Sequence, residues 1–252
     1  MITDPVFYLV AIPALLITGA SKGGLGGGLG ILAVPLIALT VSTNQTTGIL
    51  LPVLCLMDTL GFWIYRKSWD FKNLRMLVPS AFIGMAAGTL GFHYFNEQAI
   101  RLAIGAIAVT FALHHWIGPG GARVPHQPGN PRGILWGAIS GFTSFVAHAG
   151  TPPLQVYLLP QQMDQARYVG TAVAYFAVIN YVKLVPYWWL GQLTPGNLAT
   201  SLALSPLAPL GIALGVYLNR RLNPVVFYRV CYLLIFSSGA KLLLEGVGMR
   251  IF

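Results

Sequence analysis

Long apolar runs separated by short polar gaps make up most of the chain, and the length of each run indicates its role. Six runs are long enough for a membrane-spanning helix, which needs roughly 20 apolar residues. The predicted spanning helices cover residues 46–65, 76–95, 99–117, 168–190, 198–218 and 224–246. Because a bilayer core accepts apolar side chains on every face of a helix, the pattern predicts an all-α membrane protein.

Four shorter apolar runs come as two consecutive pairs, each interrupted by small residues. The pairs are 6–20 with 29–41 and 133–147 with 152–160. The interruptions extend from Gly19 to Gly30 and from Ala147 to Pro153. A helix over 152–160 would be about 14 Å long, about half of a bilayer. We therefore expect two re-entrant hairpins, over 6–41 and 133–160, whose irregular backbone is buried in protein or lines a cavity.

The chain also repeats itself at an offset of 122 residues, which aligns Asp58 with Asn180. Other matching pairs are Gly19 with Gly141, Gly28 with Gly150, Gly48 with Gly170, and Tyr65 with Tyr187. This ordered series predicts two homologous halves, 1–120 and 133–252, joined by a cytoplasmic linker over 121–132. Each half is then a glycine-rich hairpin followed by three transmembrane helices.

Loop charges predict how the halves are oriented. Gap 66–75 carries four cations, so the positive-inside rule assigns it to the cytoplasm. If the hairpins do not cross, Arg220 and Arg221 are also cytoplasmic, while the uncharged gaps 41–45 and 191–197 and both termini lie outside. If both hairpins crossed, the two arginines would lie outside instead. The charge pattern therefore favours three crossings per half, with the halves inverted relative to each other.

Composition agrees with this pattern: 56% of the 252 residues are hydrophobic and only 8% are charged. The formal net charge is +9, but the cations lie in gaps between apolar runs, so they indicate topology rather than a nucleic-acid partner. Cys55 and Cys231 lie inside apolar segments without metal-ligand spacing. We therefore expect the lipid bilayer as surroundings and neither a metal site nor a cofactor.

The first break is rich in glycine and contains Lys22. Glycine allows the backbone to approach a ligand or a neighbouring helix closely. A half-helix that starts near Gly28 would direct its N–H groups at the break, and this favours an anion. A charge at membrane depth is costly and marks a functional candidate. We predict that Lys22, Gly26, Gly27 and Gly28 bind an anionic substrate; the alternative is a packing surface with Lys22 in a structural ion pair.

The second break contains hydrogen-bond donors that could also bind an anionic substrate. Ser144, His148, Gly150 and Thr151 lie near its tip, and the two prolines after Thr151 suit the first turn of a returning half-helix. His148 is either a proton-linked switch, a plain donor or a packing residue. We predict that these four residues complete the substrate site, with both hairpin tips meeting near the bilayer midplane.

Three further polar residues lie inside predicted spanning helices. Asp58 is either a proton carrier or a structural acid that bonds a lysine, and Asn180 occupies the equivalent position in the second half. Lys183, one turn beyond Asn180, either contacts the substrate or pairs with Asp58. We assign all three to the cavity wall or to the coupling of an ion to transport.

The glycine-rich first hairpin that runs into Val34-Pro35-Leu36, its counterpart in the second half, and the two four-segment halves resemble the sulfite exporter TauE/SafE family. This family is also called the 4-toluene sulfonate uptake permease (TSUP) family. The resemblance covers nearly the whole chain. It implies transport of sulfite, sulfoacetate or related organosulfonates, or thiosulfate, across the bacterial inner membrane, which in this family usually does not use ATP. The second break, Ala147 to Pro153, is poorer in glycine than the family's usual second motif, which leaves the substrate open.

The resulting hypothesis is a secondary active transporter that exports a small sulfur-containing anion. The coupling ion, a proton or sodium, and the oligomeric state, monomer or homodimer, stay open. The alternative is an intramembrane enzyme or a membrane assembly factor. Ser144 and His148 are four residues apart, as on one helix face, but no buried acid clearly completes a catalytic triad, so we expect no enzyme.

Overall fold

The computed structural model describes residues 1–91, 97–117 and 130–248, which form helices and no strand. The helices are α1 (Pro5–Leu25), α2 (Ala33–Ile37), α3 (Thr43–Ile64), α4 (Phe71–Leu90), α5 (Glu97–Ile117), α6 (Asn130–Ala147), α7 (Thr151–Leu158), α8 (Gln165–Trp189), α9 (Pro195–Leu204), α10 (Leu207–Arg221) and α11 (Pro224–Gly246). Short 3₁₀ turns, Gly30–Leu32 and Leu159–Gln161, precede α2 and follow α7. Most of the predicted linker, 121–132, lies outside the described residues.

Polar residues in the gaps begin several of these helices by accepting a hydrogen bond from a first-turn N–H group. Asp70 accepts from the N–H of Asn73, and Asp164 accepts from that of Arg167. The other side-chain caps are Asp4, Ser42, Thr194 and Asn223. Such caps satisfy N–H groups that have no partner within the helix. The short polar gaps therefore fix where the apolar helices start.

Most predicted helices are present with shifted ends. The predictions for 46–65, 99–117, 168–190 and 224–246 correspond to α3, α5, α8 and α11. The prediction for 76–95 starts too late, because α4 begins at Phe71, and its last residues lie outside the described range. A single helix over 198–218 is wrong: α9 and α10 meet at a 45° bend. Pro206 lies at this bend, where its missing N–H removes a helical hydrogen bond.

The first limb of the predicted first hairpin is longer than expected. Residues 6–20 were expected as a short limb, with the break starting at Gly19, but α1 continues to Leu25. In the described part of the chain, four helices are long and apolar enough to cross a membrane, or five if the bent pair counts as one. The four are α1, α3, α8 and α11. The predicted spans 76–95 and 99–117, which correspond to α4 and α5, are not among these four helices.

Helix packing joins the two halves of the sequence. The main neighbouring pairs are α1 with α10, α3 with α8, α4 with α6, and α5 with α11. Gly23 shows how close the first pair is, because a Cβ atom there would lie 2.6 Å from the carbonyl oxygen of Ile212. Large apolar side chains such as Leu9 and Leu202 point outward. A multi-pass protein in lipid needs such a surface.

Polar contacts gather at the two ends of the helices. At one end, the Arg167 guanidinium lies 3.1 Å from the Asp70 carboxylate, and the Gln165 amide donates to the Leu222 carbonyl. At the other end, Thr47 Oγ1 donates to Gln192 Oε1. Among the described residues, the first end carries Arg167 and also Arg220 and Arg221, which directly precede Leu222, whereas the second end involves the uncharged gap 191–197.

Candidate functional site

A small, partly enclosed cavity lies between the two breaks, and the space inside it that is open to the centre of a water-sized sphere is about 30 Å³. Six residues predicted for the site line it: Lys22, Gly27, Ser144, His148, Thr151 and Asn180. The two breaks are adjacent here, because a Cβ atom on Gly27 would lie 3.3 Å from Thr151 Oγ1. The cavity is therefore built by segments from both halves of the chain.

An ion pair closes one side of the cavity. Lys22 Nζ lies 2.6 Å from Asp58 Oδ1, and Asn180 Nδ2 donates to Asp58 Oδ2 at 2.6 Å. The lysine ammonium also lies 5.4 Å from the centre of the Phe176 ring. Lys22 and Asn180 line the cavity, whereas Asp58 is fully buried behind them. Asp58 thus holds both cavity-lining side chains in place.

Lys183 contacts two residues at the second break that line the cavity. Its Nζ donates to the Ser144 carbonyl and to Ser144 Oγ, both at 3.1 Å, and lies 3.2 Å from His148 Nδ1. Tyr187 Oη donates to the Phe145 carbonyl at 3.0 Å and lies 3.3 Å from His148 Nε2. Lys183 therefore lies between Ser144 and His148, and these two residues contact the lysine rather than acting as a serine–histidine pair.

The backbone at His148 is unusual for a residue with a side chain. His148 has φ +50°, in the left-handed region, and its equivalent in the first break is Gly26, with φ +68°. Glycine adopts this conformation without strain, while other residues pay about 1–3 kcal/mol. The imidazole is held between Lys183 and Tyr187. These contacts fix a conformation that the backbone alone disfavours.

The N-termini of the half-helices provide fewer free N–H groups for binding an anion than the sequence indicated. The N–H groups of Gly27 and Leu29 are used within the first break, by the Ser21 carbonyl and Ser21 Oγ. The second limb there, α2, has only five residues. In the second break, the two prolines of α7 have no N–H group. Lysine side chains, rather than helix ends, therefore provide most of the positive charge.

Five predicted residues do not line the cavity. Asp58 and Lys183 lie behind it and position the lining side chains, as described above. The three glycines pack against neighbours instead: Gly26 against Tyr168, Gly28 against Leu234 and Gln155, and Gly150 against Ser144. Glycine at these positions shapes the breaks, and the ligand-facing groups come from the residues beside them.

The buried charges do not balance. Lys22, Asp58 and Lys183 are 7%, 0% and 0% exposed. Asp58 compensates Lys22, but among the described residues no carboxylate forms an ion pair with Lys183. With both lysines protonated, the site has an excess of one positive charge. A buried ammonium with only neutral partners is unfavourable, so Lys183 either loses its proton or gains an anionic partner.

A sequence model described as "Sulfite exporter TauE/SafE" matches residues 11–242, nearly the whole chain. The chain belongs to this family. The TauE/SafE family is a family of membrane transporters, and the apolar helices agree with a multi-pass membrane protein. No curated protein and no solved structure matches the chain. In the part of this TauE/SafE protein that the structure describes, no group of three His, Cys, Asp or Glu side chains could hold a metal ion.

Three functional candidates in this TauE/SafE protein were missed by the sequence reasoning. Thr18 and Phe176 line the cavity, and Tyr187 contacts His148. Helical spacing could have found them: Thr18 is four residues before Lys22, and Phe176 is four before Asn180. Residues four apart lie on the same helix face. A single threonine or aromatic residue in an apolar helix otherwise looks like ordinary packing.

Proposed function

We propose that this TauE/SafE protein is a secondary active transporter that exports a small sulfur-containing anion across the bacterial inner membrane. Candidate substrates are sulfite, sulfoacetate or a related organosulfonate, and thiosulfate. The observation that carries the proposal is the pair of buried lysines at the cavity: Lys22 lines it, and Lys183 contacts the lining residues Ser144 and His148. With both lysines protonated, Asp58 offsets only one of the two positive charges. An oxyanion would offset the other charge away from water.

Within the proposal, substrate contacts come from the cavity-lining side chains of both breaks. Lys22 supplies charge, while Ser144, His148 and Thr151 supply hydrogen bonds. Gly26, Gly27, Gly28 and Gly150 give the breaks their shape. Asn180 lines the cavity, and Asp58 and Lys183 lie behind its lining. These three residues position the lining side chains or couple a proton or a sodium ion to transport.

We further propose inverted halves, 1–120 and 133–252, each with a re-entrant hairpin and three crossings. Equivalent contacts at the 122-residue offset support the two homologous halves, and the loop charges favour their inversion. Tyr65 Oη donates to the Gly23 carbonyl as Tyr187 Oη does to the Phe145 carbonyl, and Gly27 N–H donates to the Ser21 carbonyl as Ala149 N–H does to the Thr143 carbonyl. Each first limb therefore ends in an equivalent backbone turn, and a carbonyl in each limb accepts a hydrogen bond from an equivalent tyrosine. Inverted repeats with a binding site at their interface are common in secondary transporters.

Uptake into proteoliposomes tests the proposal. Purified protein is reconstituted, and accumulation of ³⁵S-labelled sulfite and thiosulfate is measured with and without gradients of pH or sodium. Sulfoacetate serves as a competitor, and sulfate and chloride test selectivity. We expect saturable uptake that exceeds that of empty liposomes and that one gradient increases.

A matched pair of lysine variants separates the site from general charge effects. Lys22→Met should abolish uptake, whereas Lys241→Met should not, because Lys241 pairs with Glu245 on α11, away from the cavity. Well-folded protein that takes up none of these anions would refute the proposed function.

A further inference from the structure

The side-chain amide of Gln155 is buried near the cavity without hydrogen-bond partners among the described residues. Gln155 lies on α7 one turn beyond Thr151, is 1% exposed, and neither its Oε1 nor its Nε2 has a hydrogen-bond partner among the described residues. The hydroxyl of Tyr168, which is fully buried, is also without a partner there. Buried polar groups in native proteins are normally paired, so an unpaired cluster needs an explanation.

The two side chains lie together against the first break. Gln155 is close to the Tyr168 hydroxyl, yet the two groups do not complete a hydrogen bond of normal length and angle. A Cβ atom on Gly28 would lie 3.2 Å from Gln155 Nε2, and one on Gly26 would lie 3.2 Å from Tyr168 Oη. Neither side chain lines the cavity. Tyr168 follows Arg167, so the cluster lies between the break and the end of the molecule that carries the arginines.

The repeat relates Gln155 to a cavity-lining position. At the 122-residue offset its equivalent is Ala33, which lines the cavity. The equivalents of other lining residues are Ser140 for Thr18, Ala172 for Leu50, and Phe176 for Leu54. An inverted-repeat carrier alternates access by moving one repeat against the other, and the internal symmetry allows each half to adopt the arrangement that the other half had before. Gln155 would then occupy the place in the new cavity that Ala33 occupies in this one.

We propose that Gln155 and Tyr168 form a second binding position for the transported oxyanion, in a cavity that opens at the arginine-rich end. Amide N–H and phenol O–H groups can donate hydrogen bonds to an oxyanion. The position accounts for donors that are buried and unpaired in the present arrangement. This inference rests on the proposed transport function and on the inverted halves, and it assigns a specificity-determining role to Gln155.

Thiol accessibility tests where Gln155 is exposed. In a Cys55→Ala/Cys231→Ala background, single variants Gln155→Cys, Ala33→Cys and Leu158→Cys are treated in oriented vesicles with a membrane-impermeant maleimide from either face. We expect Gln155→Cys to react only from the face with the arginines and Ala33→Cys only from the opposite face. Leu158→Cys, on the same helix but in the apolar core, should not react from either face.

Two outcomes would overturn the inference. One is a Gln155→Cys variant that stays unreactive from both faces while Ala33→Cys is labelled to completion. The other is labelling of both variants from the same face. Labelling does not depend on the choice of substrate, so failure of the anion-uptake experiment and failure of this test are distinguishable.

A second variant separates a substrate contact from a structural role. Gln155→Leu removes the unpaired amide at similar volume, so its melting temperature in detergent should be unchanged or higher. Anion turnover should fall about tenfold, the effect of one lost hydrogen bond to a charged group. The anion concentration that gives half-maximal transport should be unchanged when the anion is added at the face from which Ala33→Cys is labelled. A lower melting temperature with normal turnover would mean that Gln155 is structural.

Discussion

Lys22 and Asp58 form an ion pair in which both partners are almost completely buried, at 7% and 0% exposure. Such a pair adds little net stability, because desolvation offsets most of the attraction between the charges. Removal of one partner is different, since it leaves the other charge buried without compensation. The pair is therefore better understood as a means of holding an ammonium at the cavity than as a stabilising element.

Paired substitutions separate these two roles. Lys22→Met alone should destabilise the protein by about 3–5 kcal/mol, because Asp58 keeps only the Asn180 amide as a donor. The double variant Lys22→Met/Asp58→Asn should recover most of this stability, but its anion affinity should remain about 30- to 5,000-fold lower. Thermal unfolding in detergent and binding of labelled sulfite measure the two effects. A double variant that binds sulfite normally would show that Lys22 is only structural.

The conformation of His148 makes a second prediction at the scale of one residue. Asparagine tolerates the left-handed region better than alanine does and can still hydrogen-bond. His148→Asn should therefore be more stable than His148→Ala, by about 1 kcal/mol. His148→Gly should match or exceed His148→Ala in stability, because it relieves the backbone strain while removing the same ring. Melting temperatures of the three variants test this order, and an alanine variant more stable than both others would contradict it.

At the scale of helices, the contact between α1 and α10 depends on glycines that lie inside α1. A Cβ atom on Gly23 would meet backbone atoms of Ile212, which cannot rotate away. Gly23→Ala should therefore force the helices apart and cost about 1–3 kcal/mol. Gly30→Ala is the matched control, because its Cβ would lie 3.6 Å from Thr18 Cγ2, an ordinary contact. Equal melting temperatures for the two variants would contradict this account of the packing.

The same glycines show what could be predicted from the sequence and what could not. Apolar runs predicted α3, α8 and α11 to within a few residues, because lipid imposes a minimum length on a helix. They did not predict where α1 ends, since a glycine that breaks a helix and one that packs against a neighbour look alike. The outcome depends on a partner helix almost 200 residues away in the chain.

The charged residues of the candidate site could be predicted from the sequence, because a charge inside an apolar segment is costly to bury and therefore stands out. Lys22, Asp58 and Lys183 were selected because charges within apolar segments are rare and need partners. Their pairing was left open, because spacing along a helix does not determine which residue of another helix lies opposite. Tyr187 was not selected, since an aromatic residue in a membrane helix is equally suited to packing.

At the scale of the whole molecule, contacts between the two halves dominate the fold. The pairs α1 with α10 and α4 with α6 occupy equivalent positions under the repeat, and α3 with α8 pairs two equivalent helices. Asp58 and Asn180, which are equivalent residues, meet through a hydrogen bond. Neither half could therefore bury its polar groups alone. The cavity lies at their interface, where a small relative movement of the halves would change its access.

The orientation of the halves gives the last prediction, and it distinguishes the inverted arrangement from one in which both hairpins cross. Lys67 and Arg221 are exposed beyond α3 and at the end of α10, and Asn44 is exposed at the start of α3. In a Cys55→Ala/Cys231→Ala background, we expect Lys67→Cys and Arg221→Cys to react with an impermeant thiol reagent from the cytoplasmic face. Asn44→Cys should react only from the outer face. If each hairpin crossed the bilayer, Arg221→Cys would react from the face opposite to Lys67→Cys, because each additional crossing reverses the side of every later loop. That result would refute both the re-entrant hairpins and the positive-inside assignment of the arginines.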